Sequence, residues 1–386
     1  MRVAVVSESF LPTVNGVTNS VRKVLDHLAA RGHEAIVIVP AAGSPAQYAG
    51  FPVHEMPALA YRQFPVGLPN AQVQALLAEF KPDVIHAASP FLLGAQAIAA
   101  GRRLGIPSVA IFQTDVAGYA RRHHLGAATR FAWKVVRWIH DGAELTLVPS
   151  SASMADLQAV GIRNLDRWGR GVDLRTYHPR NRDEALTQRL RQRLAPHGET
   201  IVGYVGRIAP EKQVERLAAL REVAGLQLTI VGDGPSLPLV SKALRGMPVT
   251  FLGKLGGAEL ASAYASFDVF VHTGTEETFG QTVQEAHASG VPVVAPRAGG
   301  PIDLIEHGGS GYFFEPDDDE DLRMRVATLV HSPELRSRMG EAGRRGVLGR
   351  SWEALCDELI GHYERVAGAG VTAPRAAAPL SDPARV

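Results

Sequence analysis

The sequence is poor in cysteine and in long apolar segments. Its 386 residues include one cysteine, Cys356, which excludes an internal disulfide framework and argues against a cysteine-based zinc site. No segment approaches the ~20 consecutive apolar residues that a membrane-spanning helix needs. The apolar start, Val3 to Val6, is too short for a signal peptide. We therefore expect a cytoplasmic protein in a reducing compartment.

An excess of charge of either sign is also missing. The 40 basic and 39 acidic residues leave a net charge of +1, which argues against a nucleic-acid-binding protein with a large basic surplus. With 46% hydrophobic and 20% charged residues, the composition excludes a disordered or fibrous chain. Only six of the basic residues are lysine, a skew typical of a GC-rich genome, so Lys134, Lys212 and Lys254 attract attention.

Short apolar strands and amphipathic helices alternate along most of the chain. In the first forty residues, the strand Arg2 to Val6 precedes the helix Val17 to Ala30 and the strand Ala35 to Val39. The same alternation runs again from Ile201 to Ala295. This pattern is typical of parallel sheets with helices on both faces.

The length and the repeated alternation predict an α/β fold with two tandem Rossmann-like domains and a cleft between them. We place the first domain at residues 1–175 and the second at 176–350. A helix at 351–367 follows, and the Ala/Pro-rich tail, 368–386, is predicted to be disordered.

The segment VGRIAPEKQ, residues 205–213, carries two cations after a predicted strand. Arg207 follows the strand, and Glu211-Lys212 is predicted to open a helix that continues over Val214 to Val223. A guanidinium fork, an ammonium group and free helix N–H groups together suit a diphosphate. A surface arginine and a solvated lysine would give the same pattern, so this motif alone does not decide the function.

A second segment, GTEETFGQTVQEAHASGVPVVA at 274–295, brings two carboxylates to one helix. Glu277 precedes a helix that is predicted to start near Gly280, and Glu285 lies on that helix. Carboxylates accept hydrogen bonds from sugar hydroxyls, and Gly280 lets a ligand approach the backbone closely. Helix capping by acids and an exposed helix glutamate are the alternative interpretation.

Two further glycine loops follow strands. In PTVNGV, 12–17, the pair Asn15-Gly16 permits positive φ and close approach to an anion. In VGDGP, 231–235, Asp233 is foremost a turn residue and a plausible cap. Neither loop is a GxGxxG motif, which argues against a Rossmann oxidoreductase.

Taken in order, these motifs resemble glycosyltransferase family 4, whose members have the two-Rossmann GT-B architecture. The resemblance rests on GR-x3-EK, VGDGP and EETFGQTVQEAHASGVPVVA, and it extends to SFLPTVNGVTNSV and FQTDVAGYARRHH. It covers about residues 1–365 and is greatest for actinobacterial GDP-mannose-dependent α-mannosyltransferases that build glycolipids. It implies an acceptor-binding first domain, a donor-binding second domain, and a helix 351–367 that crosses back to the first.

The resemblance also implies roles for individual positions. Arg207 and Lys212 would neutralise the diphosphate leaving group, Glu277 would bind hydroxyls of the donor sugar, and Glu285 would bind the ribose hydroxyls. The other implied donor contacts are Gly16 at the β-phosphate, Gly253, Lys254 and Leu255 at the base, and Thr278, Phe279, Gly280 and Gln281 at the sugar and phosphate.

One position departs from the family pattern. Many relatives have a histidine where this chain has Gln113, and glutamine can carry neither a proton nor a charge. Asp115 and His124 remain candidate catalytic contacts to the reacting sugars or the acceptor. Family members retain the anomeric configuration, and the departing diphosphate is thought to take the acceptor proton. Leaving-group stabilisation would then be the main catalytic contribution.

We expect no metal and no other cofactor, because the cleft segments contain no D-x-D motif. The acidic run Asp317 to Asp321 is most simply a solvated helix start.

The segment 121–139 raises the question of a membrane. On a helix, Phe131, Val135 and Trp138 share a face with Ala132, Val136 and Ile139, and Arg130, Lys134 and Arg137 form a neighbouring ridge. Such a helix could rest on anionic lipid at the inner face of the cell membrane. An ordinary amphipathic helix packed on the sheet explains the pattern equally well.

The sequence thus predicts a retaining glycosyltransferase that moves a hexose, mannose from GDP-mannose, onto a lipid-linked or glycolipid acceptor. Its partners would be a sugar nucleotide, a glycolipid and anionic membrane, and no nucleic acid. The alternatives are a UDP-sugar-dependent enzyme of the same family, a nucleotide-sugar-binding protein without transfer activity, and a sugar-nucleotide epimerase of the same architecture.

Overall fold

The computed structural model describes residues 1–61, 64–67, 70–113 and 126–370. Contacts between residues divide the chain into two compact units. The first contains residues 1–111, 138–146 and the chain from 359 onward; the second contains 112–137 and 147–358.

Strands and helices alternate through both units. The strands are β1 (Arg2–Ser7), β2 (Glu34–Pro40), β3 (Gln47–Tyr48), β4 (Phe51–Met56), β5 (Ala58–Tyr61), β6 (Phe64–Gly67), β7 (Val84–Ala88), β8 (Ser108–Ile111), β9 (Leu145–Val148), β10 (Leu165–Arg167), β11 (Thr200–Val205), β12 (Leu226–Val231), β13 (Val249–Gly253), β14 (Val269–Val271), β15 (Val293–Pro296) and β16 (Gly311–Phe314). The α-helices are α1 (Gly16–Ala30), α2 (Gln72–Phe80), α3 (Leu92–Leu104), α4 (Gly126–His140), α5 (Ser151–Ala159), α6 (Ala185–Leu194), α7 (Leu237–Ala243), α8 (Gly257–Ser266), α9 (Gln281–Ala288), α10 (Asp319–Val330), α11 (Pro333–Val347) and α12 (Trp352–Gly370). The 3-10 helices are Pro179–Asp183, Pro210–Lys212, Val214–Glu222 and Gly300–Asp303.

An eight-stranded sheet has the order β10-β9-β8-β7-β1-β2-β4-β3. Its central strand, β1, pairs in parallel with β2 and β7, and β4 pairs antiparallel with the short strand β3. Residues Val3 to Val6 of β1 are completely buried, so both faces of the sheet are covered here.

A six-stranded sheet, of order β13-β12-β11-β14-β15-β16, is parallel throughout. Successive side chains of a strand point to opposite faces. Accordingly Val202 and Tyr204 of β11 lie in one hydrophobic cluster, and Ile201 and Val205 lie in another. The predicted α/β fold with two Rossmann-like sheets is confirmed, whereas the domain boundaries stay a prediction.

The last helix, α12, packs within the first unit from residue 359 onward. Tyr363 is fully buried, and its hydroxyl lies 2.6 Å from Nδ1 of His86 on β7. The two rings meet edge to face, and burial lowers the pKa of His86 to about 3. A neutral histidine on β7 of the eight-stranded sheet therefore contacts helix α12.

Several local predictions need correction. The segment predicted as an α-helix over Val214 to Val223 is a 3-10 helix, and Lys212 ends a separate short 3-10 helix instead of opening a long one. Helix α12 runs on to Gly370, so the predicted tail loses its first residues, and 371–386 lie outside the described residues. Among the described residues, no helix is long and apolar enough to cross a membrane.

Gly203 in β11 allows an aromatic ring to lie directly on the second sheet. A Cβ atom at this position would come within 2.3 Å of the ring of Phe267, which is almost fully buried. Real Cβ atoms do not approach a ring so closely, so either the ring or the strand would have to move.

We predict that Gly203→Ala lowers the free energy of unfolding by about 1–3 kcal/mol, because it overpacks a close-packed core. Urea denaturation of the purified protein measures this. Gly361→Ala is the matched control, since a Cβ atom at Gly361 in α12 meets nothing within 4 Å. Equal stability of the two variants would contradict the prediction.

Candidate active site

Backbone hydrogen bonds hold the carboxyl ends of three neighbouring strands of the second sheet together. Gly232 donates to the carbonyl of Gly253 at 2.8 Å, and Gly206 donates to the carbonyl of Val231 at 3.0 Å. A Cβ atom on Gly232 would lie 1.9 Å from the carbonyl oxygen of Gly206, so only glycine fits. The loops after β11, β12 and β13 therefore share the edge at which parallel sheets usually bind ligands.

Arg207 and Lys212 both lie on the loop after β11. The Tyr204 hydroxyl donates to the backbone carbonyl of Arg207 at 3.1 Å, but the Arg207 side chain is 66% exposed. Its nearest acid is Glu211, at 3.9 Å. The Arg207 guanidinium is therefore available to an anionic ligand, whereas Lys212 is held by the protein itself.

An ion pair joins Lys212 to Glu277 on the loop after β14. The Nζ and Oε2 atoms are 2.6 Å apart, and the two side chains are only about a fifth exposed. The Thr273 hydroxyl donates to the Lys212 carbonyl at 2.6 Å and holds its backbone against the same loop. Burial alone would raise the pKa of Glu277. The charge of Lys212 and its hydrogen bond lower this pKa, as do His272 and the hydrogen bond from the Phe279 N–H. The resulting pKa is about 2. Glu277 is therefore ionised at neutral pH.

The turn at 277–280 is shaped by two glycines of the loop after β15. The other Glu277 oxygen, Oε1, accepts from the Gly280 N–H at 3.3 Å, and Gly280 begins α9 with φ of +101°. Gly300 donates to the Glu277 carbonyl at 2.6 Å. Cβ atoms on Gly299 and Gly300 would lie 2.4 Å and 2.3 Å from the carbonyl oxygens of Glu277 and Phe279. Two loops thus pack backbone against backbone.

Glu285, on α9, has the opposite electrostatic environment to Glu277. Burial raises its pKa to about 7, and hydrogen bonds from Tyr264 and Gln281 only partly oppose this. The Tyr264 hydroxyl donates to Oε2 of Glu285 at 2.8 Å. Two acids of one motif are thus separated in pKa: one is ionised, and the other titrates near neutrality.

The other residues predicted to contact the donor lie at the end of β13, on the loops after β13 and β14, and at the start of α9. Gly253 ends β13 with φ of +68°, Lys254 is exposed, and Leu255 packs partly against a core cluster. Thr278 is half-buried. The Gln281 amide donates to the carbonyl of Gly171 at 3.2 Å, so its side chain contacts protein.

Three further predicted residues lie outside the described part of the second unit. Gly16 belongs to the first unit and is the first residue of α1, where the Asn15 side chain accepts from the Thr18 N–H at 3.0 Å. Neither Asn15 nor Gly16 uses the positive φ that the pair permits; the loop ends in a helix cap, and the contact of Gly16 with a β-phosphate stays a prediction. Asp115 and His124 lie outside the described residues.

Sequence reasoning missed four residues that shape this edge: Thr273, Tyr264, Gly299 and Gly300. The adjacent glycines after a predicted strand were a usable signal of close backbone packing. Nothing in the sequence pointed to Thr273 or Tyr264, because they contact Lys212 and Glu285, which are distant in sequence and come close only in the folded chain.

The acidic run at 317–321 acts as a helix cap. The Asp318 carboxylate accepts from the N–H groups of Glu320 and Asp321 at 3.0 Å and 2.9 Å. Within the described ranges, no group of three or more His, Cys, Asp and Glu side chains is placed to hold a metal ion.

Two family models match successive parts of the chain. Residues 14–176 match the model for glycosyltransferase family 4, and residues 187–346 match the model for glycosyl transferases group 1. The chain is 50% identical to a GDP-mannose-dependent alpha-mannosyltransferase of Mycolicibacterium smegmatis, over 95% of this chain and 98% of that protein. It belongs to glycosyltransferase family 4. The predicted family is confirmed, and the chain is a glycosyltransferase.

Two more distant similarities add detail. A GDP-mannose-dependent alpha-(1-6)-phosphatidylinositol dimannoside mannosyltransferase of Mycobacterium tuberculosis is 28% identical to this chain, over 93% of this chain and 95% of that protein. The crystal structure of Anabaena Alr3699/HepE in complex with UDP has a TM-score of 0.78 at 20% identity, over 95% of this chain and all of that one. The latter supports the fold alone.

We predict that Lys212→Met lowers the free energy of unfolding by about 2 kcal/mol, because it leaves the Glu277 charge half-buried without its partner. The double variant Lys212→Met/Glu277→Gln should recover part of this loss. Thermal and urea unfolding measure both. Lys242→Met, an exposed lysine on α7, is the control and should stay within about 0.5 kcal/mol of wild type. A Lys212 variant as stable as this control would contradict the prediction.

Proposed function

We propose that this glycosyltransferase is a retaining α-mannosyltransferase that moves mannose from GDP-mannose onto a lipid-linked or glycolipid acceptor. The 50% identity to a GDP-mannose-dependent alpha-mannosyltransferase over nearly the whole of both chains is the observation that carries the choice of donor. The similarity to a phosphatidylinositol dimannoside mannosyltransferase supports the lipid acceptor.

The geometry of the second unit suits this reaction. Arg207 offers an exposed guanidinium beside the ion-paired Lys212, and Glu277 next to it is ionised. A carboxylate accepts hydrogen bonds from sugar hydroxyls, while the cations stabilise charge on the departing diphosphate. The bond between the sugar and the β-phosphate oxygen breaks and its electron pair stays on that oxygen, which can take the acceptor proton as the new glycosidic bond forms.

A donor panel tests the proposal. GDP-mannose, UDP-glucose, UDP-N-acetylglucosamine and UDP-glucuronate are each incubated with the enzyme and a bacterial lipid extract, and released nucleoside diphosphate is measured. We expect release of GDP and mannosylated lipid. Release from the UDP donors alone would overturn the choice of donor, and donor binding without any release would favour a binding protein.

The same assay tests the expectation that no metal is needed. The cations that would stabilise the leaving group are the protein's own, Arg207 and Lys212, so excess EDTA should leave the rate unchanged. A loss of activity in EDTA that magnesium restores would contradict this expectation.

Glu285 makes donor binding depend on pH if it binds the ribose hydroxyls. Hydroxyl donors favour the ionised carboxylate, whose pKa in the free protein is about 7. We predict that the affinity for GDP-mannose rises by up to about an order of magnitude between pH 6 and pH 8. Calorimetry measures this, and the diphosphate bridge of the donor does not itself titrate in this range.

In Glu285→Gln the pH dependence should disappear, because no proton is exchanged at that position. Glu334→Gln, an exposed glutamate at the start of α11, is the control and should keep the wild-type profile. A wild-type affinity that does not change with pH would contradict this role of Glu285.

We further propose that α4 contacts anionic lipid. The predicted single apolar face is wrong: Val136 and Ile139 are buried, whereas Phe131 and Trp138 are 69% and 67% exposed. Phe131, Lys134 and Trp138 are spaced three and four residues apart and share the exposed face. Exposed aromatic rings beside a lysine are what an interfacial helix presents to a membrane.

We predict that Phe131→Ser/Trp138→Ser and Lys134→Glu each reduce binding to vesicles that contain anionic lipid. The change of two charge units in Lys134→Glu should cost about 2 kcal/mol of binding free energy. Co-sedimentation with such vesicles measures this. Lys242→Glu is the control, because it makes the same charge change on an exposed face of the second unit. If all the variants bind these vesicles as strongly as wild type does, α4 does not contact the lipid.

A further inference from the structure

Arg170 is a half-buried cation without an ion-pair partner among the described residues. Its Nη2 donates to Oε1 of Gln113 at 3.1 Å, and this amide carries no charge that could balance the guanidinium. Burial lowers the pKa of Arg170, and the charge of Glu277 opposes this shift only in part. Arginine nevertheless remains protonated in proteins, so the positive charge persists.

The backbone around Arg170 is fixed against the start of α9. The Gln284 side chain donates to the Arg170 carbonyl at 2.9 Å, and the Gln281 side chain donates to the next carbonyl, that of Gly171. A Cβ atom on Gly169 would lie 3.3 Å from the ring of Phe279. Arg170 is therefore held beside the turn that carries Glu277, and the Glu277 charge raises its pKa.

Glu277 does not neutralise Arg170, because its closest partner is the ammonium group of Lys212. Arg207, whose nearest acid is Glu211 at 3.9 Å, lies at the same edge of the sheet and offers a second guanidinium there. A charge that is partly removed from water and has no ion-pair partner is costly, and a bound counter-charge would offset that cost. A nucleoside diphosphate sugar brings such charge, and breaking its sugar–oxygen bond adds a terminal phosphate oxygen to the leaving group.

We propose that Arg170 is a third cationic residue of the donor site, whose guanidinium contacts an anionic oxygen of the diphosphate, and that Gln113 is a positioning residue that orients it. The inference rests on the proposed function but does not depend on which base the donor carries. Gln113 suits the role because an amide oxygen accepts from a guanidinium at every pH, whereas a histidine could become a competing cation.

The test is nucleotide binding by calorimetry, with GDP, UDP and guanosine as probes. We expect Arg170→Met to weaken binding of the preferred diphosphate by about tenfold or more and to leave guanosine binding unchanged. Arg163→Met, an exposed arginine seven residues earlier, is the matched control and should bind like wild type. Diphosphate affinity in Arg170→Met equal to that of the control would overturn the inference.

Two further variants keep the test decisive if Arg170→Met does not fold. Arg170→Lys retains the charge but not the planar fork, so we expect diphosphate binding several-fold weaker than in wild type. Gln113→Leu should weaken diphosphate binding when Arg170 is present and have a smaller effect in the Arg170→Lys background. Wild-type affinity in Arg170→Lys would overturn the guanidinium contact assigned to Arg170. Additive losses in the double variant would overturn the positioning role of Gln113.

Failure of the proposed function gives a different result. A wild-type protein that binds neither GDP nor UDP contradicts both proposals, whereas one that binds UDP but not GDP contradicts only the choice of donor. Diphosphate binding that is insensitive to residue 170 contradicts this inference alone.

Discussion

The ion pair between Lys212 and Glu277 is the interaction on which the candidate site depends. It connects the loops after β11 and β14, which are neighbours in the sheet but 65 residues apart in sequence. A half-buried carboxylate would otherwise favour its protonated form, and the pair keeps it ionised. The same carboxylate accepts from the backbone at the start of α9, so the position of that helix and the charge of Glu277 are linked.

The surrounding structure reduces the freedom of both partners. Thr273 holds the Lys212 backbone, and Gly300 donates to the Glu277 carbonyl. Oriented groups that do not have to reorganise when charge develops are the main means by which enzymes stabilise a transition state. In this protein the orientation comes largely from backbone contacts that only glycine permits, so the polar side chains themselves can remain few.

Much of the fold could be predicted, because burial leaves a periodic trace in the sequence. Alternating side chains of β11 lie in two separate clusters, as expected for a strand covered on both faces. The 3-10 geometry over Val214–Glu222 left no such trace, since helical spacing does not distinguish it from an α-helix at this length. Phe131 and Trp138 were assigned to an apolar face, but their exposure depends on what α4 packs against.

The candidate site was predictable residue by residue but not in its pairings. Arg207, Lys212, Glu277 and Glu285 were chosen because of chemical type and spacing, and the resemblance to a family supplied their roles. That Glu277 binds Lys212 while Glu285 binds Tyr264 depends on contacts across the sheet, which no local pattern records. The opposite pKa values of the two acids follow from those contacts and were therefore equally invisible.

The contact of Gly299 and Gly300 with the 277–280 turn limits how this enzyme can diversify. Any side chain at either glycine would collide with a carbonyl oxygen, so both positions are closed to ordinary point mutation. The turn cannot be reshaped gradually by substitutions behind it. Under the proposed role of this turn in binding the donor sugar, new sugar preferences would have to arise through residues that project into open space, or through insertions that rebuild both loops at once.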